Sequence, residues 1–227
     1  MKLSIVIPVY NEERTLAKAL SRVLQAPCEG MEKEVLAIDD GSTDRSLEIL
    51  ASFSPPVRII RHSSNQGKGA SLRDGFAAAT GEVLLVQDAD LEYNPEDYPR
   101  LLKPILDGRA RVVYGSRFTG ERSRMLWVHT MGNRFLTFLT NLLYGSRLSD
   151  METGYKVFHR SALDGIQIES RDFREQPELT VKWLRRGIPI LEVPISYRGR
   201  EHTEGKKIKW MDGVLAALWL IRYRFRR

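Results

Sequence analysis

The chain has 227 residues, which at about 150 residues for an average domain allows one large domain or two small ones. Its 42% hydrophobic and 28% charged composition excludes a disordered or fibrous protein. A single cysteine, Cys28, excludes a disulfide framework and a cysteine-cluster metal site. The net charge is +6, and residues 198–227 carry the whole surplus with nine basic and three acidic side chains. A surplus localised in this way is typical of a surface that meets polyanions, whereas composition alone would favour a charged tail that only aids solubility.

Short apolar runs alternate with helical patterns over the first 120 residues. Strands are predicted over Leu3–Val9, Val35–Ile38, Val57–Ile60, Glu82–Gln87 and Arg111–Gly115. Helices are predicted between them, over 12–25, Ser46–Phe53, Gly69–Ala79 and Pro95–Leu106. This βαβ repetition predicts an α/β fold with a mainly parallel sheet, flanked by helices, that binds its ligands at the carboxyl ends of the strands.

The pattern changes after residue 130. It predicts, in order, helix Thr130–Tyr144, strand Tyr155–His159, helix Pro177–Arg186, strand Ile190–Ile195 and a last helix over Lys209–Tyr223. We expect one domain over residues 1–206, followed by a basic, aromatic, amphipathic helix over 207–227. The longest apolar run, Val214–Ile221, has eight residues against the ~20 that a spanning helix needs, and no signal peptide is recognisable. We therefore expect a protein that does not cross a membrane.

Acidic residues follow three of the predicted strands. Asp39-Asp40 follows the second strand, Asp88-Ala89-Asp90 follows the fourth, and Glu12 and Glu13 follow the first. Parallel strands end at one edge of a sheet, so these carboxylates should converge there, and a cation would offset their repulsion. Hard cations such as Mg²⁺ or Mn²⁺ take one or two carboxylates together with substrate phosphates. For residues 39–44 alone, a turn with Ser42 or Thr43 as helix N-cap explains the motif equally well.

Two further segments have weaker interpretations. Asn65–Ala70 is rich in glycine but lacks the spacing of a phosphate-binding P-loop, so we predict at most a positioning role. Arg171, Asp172, Arg174 and Glu175 are predicted to be a solvated charge run, with a smaller chance of contact with substrate.

Taken together, the motifs resemble family 2 glycosyltransferases with a GT-A, Rossmann-like fold, in particular the dolichyl- and polyprenyl-phosphate sugar synthases. The matching segments span nearly the whole chain: 4–13, 38–44, 65–69, 88–92, 115–118, 150–156, 192–197 and 204–208.

The resemblance implies roles for individual residues. The nucleotide-sugar site would comprise Pro8, Tyr10, Glu12, Ile38, Asp40, Asp88, Ala89, Asp90, Arg200 and Lys206, with Asp40 on the base or ribose. Asp88, Asp90 and Glu92 would hold Mg²⁺ or Mn²⁺, although Glu92 replaces the glutamine that is common in mannosyl members. Arg117 and Arg134 would bind the acceptor phosphate, and Asp90 and Arg117 would be the catalytic residues.

The implied reaction moves one sugar from GDP-mannose or a UDP-hexose to a polyprenyl phosphate, with inversion, at the cytoplasmic face of a membrane. A phosphate monoester is largely ionised at pH 7 because its second pKa is about 6, so this acceptor needs no catalytic base. The alternative acceptor is a hydroxyl group in polysaccharide or glycolipid synthesis. That reaction needs a base, for which Asp150 or Glu152 is the candidate.

The basic C-terminal helix fits an anionic membrane surface, to which each basic residue adds about 1 kcal/mol. Packing on the domain or on another chain is nearly as good an explanation, and a separate membrane-anchor partner is a further expectation. A nucleotidyltransferase would favour a glycine-rich basic loop where Tyr10–Glu13 stands. A nucleic-acid-binding module would not explain acids at strand ends, which repel phosphate, so we expect no nucleic-acid partner.

Overall fold

The computed structural model describes residues 1–120, 123–124, 127–172, 174–199 and 210–225. The strands are β1 (Lys2–Val9), β2 (Glu32–Asp39), β3 (Val57–Arg61), β4 (Val83–Val86), β5 (Val112–Ser116), β6 (Ser123–Arg124), β7 (Lys156–His159), β8 (Ile190–Pro194) and β9 (Tyr197–Arg198). The helices are α1 (Leu16–Gln25), α2 (Ser46–Ser52), α3 (Lys68–Ala78), α4 (Tyr98–Leu106), α5 (Trp127–Tyr144), α6 (Glu175–Arg185) and α7 (Trp210–Phe225). A 3-10 turn precedes α4 at Pro95–Asp97.

One sheet organises the molecule, with strand order β3-β2-β1-β4-β7-β5-β8. The pairs β1–β2, β2–β3, β1–β4 and β5–β8 are parallel, whereas β7 runs antiparallel to both of its neighbours. The predicted mainly parallel α/β sheet is therefore confirmed. Since β1, β2 and β4 run side by side, their carboxyl ends share one edge.

Helices cover both faces of the sheet, which explains why its strands are apolar without alternation. On one face, Ile5 and Ile7 of β1 pack in a cluster with Leu20 of α1 and Leu101 of α4. On the other face, Val6 of β1 lies in a second cluster, whose helical members include Leu72 and Phe76 of α3 and Leu179 and Trp183 of α6. The two clusters hold the sheet between two helical layers.

The last helix, α7, packs on α5 and α6 through Ala216 and Leu220, which are buried beside Leu136 and Val181. The opposite side of α7 is also apolar, since Leu218 and Ile221 are 59% and 42% exposed. The helix therefore has a buried side and an apolar exposed side. Among the described residues, no helix combines the length and the apolar character that crossing a membrane requires.

The element boundaries differ from the prediction mainly at the ends. The first helix begins at Leu16 rather than at residue 12, because residues 11–13 bond to the loop that follows β2. The short strands β6 and β9 pair with each other and were not predicted. The proposed boundary at residue 206 lies outside the described residues and stays a prediction.

Candidate active site

The loops after β1 and β2 are tied together at the sheet edge. The amide of Asn11 donates to Ser42 Oγ over 3.1 Å, and the amide of Thr43 donates to Asn11 Oδ1 over 2.8 Å. Asn11 has φ 52°, a left-handed conformation that asparagine adopts more readily than most residues other than glycine. Predicted nucleotide-site residues Pro8, Tyr10 and Glu12 lie half-buried beside these loops.

Two other predicted nucleotide residues point elsewhere. Ile38 is fully buried in the core beneath α3, so only its backbone is available at the edge. The Asp40 carboxylate accepts hydrogen bonds from the amides of Gln66 and Gly67, over 2.9 and 2.8 Å, and lies 2.7 Å from His62 Nδ1. In this structure Asp40 holds the 66–67 turn, and its contact with a base or ribose stays a prediction.

That turn places Lys68 at the start of α3, with its Nζ 2.6 Å from Asp88 Oδ1. Gly67 has φ 95°, and a Cβ there would lie 2.1 Å from the Arg171 carbonyl oxygen, so a side chain is excluded. Burial alone would lower the pKa of Lys68, but Asp88 and Glu175 outweigh it and raise that pKa. The sequence predicted only a positioning role for this segment. The structure shows that Lys68 directly contacts Asp88, a predicted metal ligand.

The carboxylates after β4 only partly match the predicted metal site. Asp88 and Asp90 are half-buried at the edge, and Ala89 between them is buried. Leu91 takes φ 62°, which turns the chain so that Glu92 Oε2 accepts a 2.6 Å hydrogen bond from the Tyr197 hydroxyl. In the part of the chain that the structure describes, no three acidic, histidine or cysteine side chains form a group that could hold a metal. The predicted three-carboxylate set is therefore not assembled, because Glu92 is turned to Tyr197.

Asp88 and Asp90 nevertheless fit a divalent cation that takes its other ligands from a diphosphate. Both offer carboxylate oxygens, the hard ligands that Mg²⁺ and Mn²⁺ prefer, and one or two carboxylates with substrate phosphates are the usual protein contribution. The sharp turn at Leu91 brings the chain back immediately after them. A cation there would compete with the Lys68 ammonium for Asp88.

Arg117 and Asp150 form a buried pair. The guanidinium donates from Nε and Nη2 to the two carboxylate oxygens, each over 2.7 Å, and the Arg117 amide donates to Oδ2 over 2.9 Å. Arg117 is 6% exposed and Asp150 is fully buried. Three hydrogen bonds occupy Asp150, which leaves it poorly suited to the predicted alternative role of base. Glu192 orients it further by accepting from its amide.

The other predicted acceptor-phosphate residue, Arg134, is on the exposed side of α5, with its guanidinium 5.4 Å from the Phe118 ring centre. Because Phe118 follows Arg117 directly, exposed Arg134 lies near the segment that carries the buried Arg117. The predicted residues Arg200 and Lys206 lie outside the described residues.

A buried charge cluster that the sequence did not predict lies behind Asp88. Lys156 Nζ, at the start of β7, donates to the carbonyl oxygens of Met151 and Thr153 and to Gln176 Oε1. Glu152 Oε1 and Glu175 Oε2 are buried without a hydrogen-bond partner. Glu175 is fully buried, so the predicted solvated charge run ends before it, whereas Arg171 and Asp172 are exposed.

Burial dominates the pKa values of this cluster. It raises the pKa of Glu152 to about 7, against the opposing effect of Lys156, and raises the pKa of Glu175 to about 8, against that of Lys68. It lowers the pKa of Lys156 to about 7 in spite of Glu152. The only sequence signal for these residues was their position in motifs, since burial depends on contacts between distant segments.

Known proteins match both the sequence and this fold. The family model described as "Glycosyl transferase family 2" matches residues 4–166. The dolichol-phosphate mannosyltransferase of Pyrococcus furiosus is 28% identical over 92% of this chain. The undecaprenyl-phosphate 4-deoxy-4-formamido-L-arabinose transferase of Edwardsiella ictaluri is 32% identical over 90% of it. The chain spans 61% and 62% of the lengths of these two relatives.

Among solved structures, glucosyl-3-phosphoglycerate synthase of Mycobacterium tuberculosis has the same fold, with a TM-score of 0.76 and 19% identity over 98% of this chain and 80% of that one. The same enzyme has been crystallised with Mn²⁺, UDP and its product, and that complex aligns with a TM-score of 0.73 and 18% identity over 98% of this chain and 79% of that one. The fold is therefore GT-A, and because the family model covers more than half of the sequence, the chain belongs to glycosyltransferase family 2.

Proposed function

We propose that this family 2 glycosyltransferase moves one hexose from a nucleotide-sugar donor to a polyprenyl phosphate, with inversion. The observation that carries the proposal is the position of Asp88 and Asp90 at the carboxyl end of β4, on the same sheet edge as the linked loops after β1 and β2. Ligands of α/β sheets bind at this edge. The names of the two sequence relatives support a polyprenyl-phosphate acceptor, and the UDP complex of the structural neighbour supports a nucleotide donor.

The donor diphosphate is bound by charge at this edge. Asp88 and Asp90 would hold Mg²⁺ or Mn²⁺, which when bound neutralises the diphosphate that leaves with the nucleoside. Lys68 adds a cation held in place by the turn that Asp40 organises. A positive charge positioned where negative charge develops stabilises the transition state more than the bound substrate.

In this proposal the acceptor phosphate binds beside buried Arg117 and exposed Arg134. Asp150 orients the Arg117 guanidinium through Nε and Nη2, and a guanidinium has five N–H groups, so donors remain for a phosphate oxygen. Arg134 adds charge there, while Arg200 and Lys206, which lie outside the described residues, are proposed for the nucleotide-sugar site. The ionised phosphate oxygen attacks the anomeric carbon in line, which inverts the configuration without a protein base.

An apolar surface on α5 and α7 supports a peripheral position at the cytoplasmic face of an anionic membrane. On α5 the side chains that share one exposed face, each at least 58% exposed, are Met131, Phe135, Phe138 and Leu142. On α7 the exposed apolar side chains are Leu215, Leu218, Ile221 and Phe225. Exposed Arg134, Arg222 and Arg224 lie among them. Apolar side chains with basic neighbours match an interfacial surface, which brings the active site to a lipid acceptor. A separate membrane-anchor protein is a further partner that this surface would accommodate.

The proposal is tested with the full chain, a short polyprenyl phosphate, Mn²⁺ or Mg²⁺, and a donor panel of GDP-mannose and UDP-hexoses. We expect glycolipid formation with one donor, loss of transfer in Asp90→Asn, and normal transfer in the control Asp107→Asn, whose carboxylate is at the surface with Lys103 and Arg109. Failure of every donor, or transfer by Asp90→Asn at the normal rate, would contradict the proposal.

Glu152 favours a second candidate, transfer to a hydroxyl group. Its pKa is raised to about 7 by burial and one of its oxygens has no hydrogen-bond partner, which are properties of a general base. Glu152→Gln separates the two reactions. In this variant the rate of transfer to a hydroxyl acceptor should fall about 10²- to 10⁴-fold, whereas the rate of transfer to a polyprenyl phosphate should change by less than about tenfold.

A further inference from the structure

Glu175, the first residue of α6, is a fully buried carboxyl with an unfilled hydrogen-bonding position. Its Oε1 accepts from Gln176 Nε2 over 3.1 Å, while Oε2 is buried without any partner. Glu175 Oε2 is not required as an acceptor for Lys156, because the Lys156 ammonium already donates to two carbonyl oxygens and to Gln176. A polar atom left unpaired in the interior is costly, and native proteins retain few of them. Glu175 Oε2 is therefore a candidate for a hydrogen bond with a bound ligand.

The fold places Glu175 next to the diphosphate site. The segment before α6 packs on the turn at Gly67, and the Gly69 amide donates to the Arg171 carbonyl oxygen over 2.8 Å. Lys68, from that turn, contacts Asp88. On the other side, a Cβ at Gly154 would lie 2.6 Å from Asp88 Oδ2, so the chain leading into β7 rests directly against this carboxylate. Glu175 thus belongs to the charged cluster immediately behind Asp88.

The order of the strands gives this cluster its place along the donor. The loops proposed for the nucleoside follow β2 and β1, the carboxylates proposed for the diphosphate follow β4, and β7 comes next in the sheet. A donor laid across the edge with its base over β1 and β2 and its diphosphate at β4 carries its sugar toward β7. Lys156 begins that strand, and Gln176 and Glu175 are bonded to each other beside it.

We propose that Glu175 determines specificity for the transferred sugar by forming a hydrogen bond between its Oε2 and a hydroxyl group of the bound hexose. The inference rests on the proposed function and deepens it from a nucleotide-sugar donor to a named contact with the sugar. Burial raises the pKa of Glu175 to about 8, so near neutral pH the carboxyl can donate as well as accept, as a sugar hydroxyl requires. A glutamine of the same size would retain both capacities, and a leucine would retain neither.

The experiment compares Glu175→Leu and Glu175→Gln in the full Mn²⁺-loaded chain by calorimetric titration with UDP, UDP-glucose, GDP and GDP-mannose. The measured quantity is the ratio of Kd for the nucleoside diphosphate to Kd for the corresponding nucleotide sugar. Glu175→Leu should lower this ratio about tenfold or more for the donor that the protein uses, the range expected for a lost hydrogen bond to a buried carboxyl. Glu175→Gln should stay within about threefold of the parent chain.

Glu178→Gln is the matched control. Glu178 lies three residues further along α6 and is equally buried, but its oxygens accept from the amides of Glu169 and Ser170 and from Lys182. Its replacement should lower stability and leave the Kd ratio unchanged. Glu175→Met provides a second apolar variant if the leucine fails to fold.

The outcomes are distinct. An unchanged ratio in both apolar variants, or the same change in Glu178→Gln, would overturn the role of Glu175 while leaving the proposed function in place. If the parent chain binds none of the nucleotide sugars, the proposed function fails, and the role of Glu175 fails with it.

Discussion

Removing the Lys68 ammonium should destabilise the protein and at the same time tighten metal binding. Lys68 Nζ lies 2.6 Å from Asp88 Oδ1, and the two side chains are only 15% and 18% exposed. Deleting one partner of a fully buried pair costs about 3–5 kcal/mol because the other charge is left uncompensated. Given the residual exposure of this pair, we expect Lys68→Met to lower the free energy of unfolding by about 2–3 kcal/mol, discounted from that range.

A loss of this size corresponds to a fall in Tm of about 4–12 °C, at roughly 2–4 °C per kcal/mol for a chain of this length. Mn²⁺ should restore much of it, since a divalent cation can replace the ammonium at Asp88. Calorimetric titration should show tighter Mn²⁺ binding without donor, because no ammonium competes for the carboxylate. Transferase activity should fall, because the cation beside the diphosphate is lost.

Lys182→Met is the matched control for this prediction. Lys182 Nζ lies 2.6 Å from Glu178 Oε1, with side-chain exposures of 10% and 0%, so a comparable pair is broken. Its Tm should fall without recovery in Mn²⁺. Equal recovery in both variants, or unchanged Mn²⁺ affinity in Lys68→Met, would refute the competition between Lys68 and a metal at Asp88.

Three further predictions concern the acceptor site, the buried cluster and the apolar surface. Asp150→Asn removes the charge that orients Arg117. KM for the polyprenyl phosphate should therefore rise about tenfold or more, while Kd for the nucleotide sugar is unchanged. A rise in Kd for the nucleotide sugar instead would place Arg117 in the donor site. Glu175 has a pKa of about 8 in the folded chain against 4.5 as its ordinary value, so the unfolded chain loses this proton first and stability falls as pH rises between these values. The unfolding free energy of Glu175→Gln, relative to that of the parent chain, should therefore increase from pH 5 to pH 8 and change little above pH 8. If denaturant unfolding shows the same difference at every pH, the buried acid is contradicted. The double variant Phe135→Ser, Phe138→Ser should co-sediment with anionic vesicles several-fold less than the parent chain. The control Leu106→Ser, at an exposed position of α4, should co-sediment normally. Equal binding by all variants would contradict a role of α5 in membrane binding.

Much of the fold could be predicted because its signals are local. The continuous apolar runs of β1 and β4 identify strands covered on both faces, and their alternation with helical patterns indicates parallel connections. Parallel pairing then places Asp88 and Asp90 beside the loops after β1 and β2 without further information. The antiparallel insertion of β7 between β4 and β5 has no such local signal, because an apolar run identifies a strand but neither its direction nor its neighbours in the sheet.

The roles of single side chains at the site were harder to predict. Asp40 and Ile38 were expected to face a nucleotide, and this stays a prediction. The structure adds that the Asp40 carboxylate accepts from backbone amides of the 66–67 turn and that the Ile38 side chain lies in the core. Glu92 was expected to bind metal with Asp88 and Asp90, but it bonds to Tyr197, 105 residues away. Lys68 was given no chemical role, although it touches Asp88.

The sequence by itself determined the class of the protein: the alternation of strands and helices, the acids at strand ends and the family to which those motifs belong. Only the tertiary structure decided which of these acids are accompanied by a lysine, which are buried without a partner, and which side of α7 faces outward. Spacing along the chain specifies the side on which a residue leaves its own strand or helix. A carboxylate's charge state and its free hydrogen-bonding positions depend instead on groups that arrive from distant segments, as Lys68 does at Asp88 and Arg117 at Asp150.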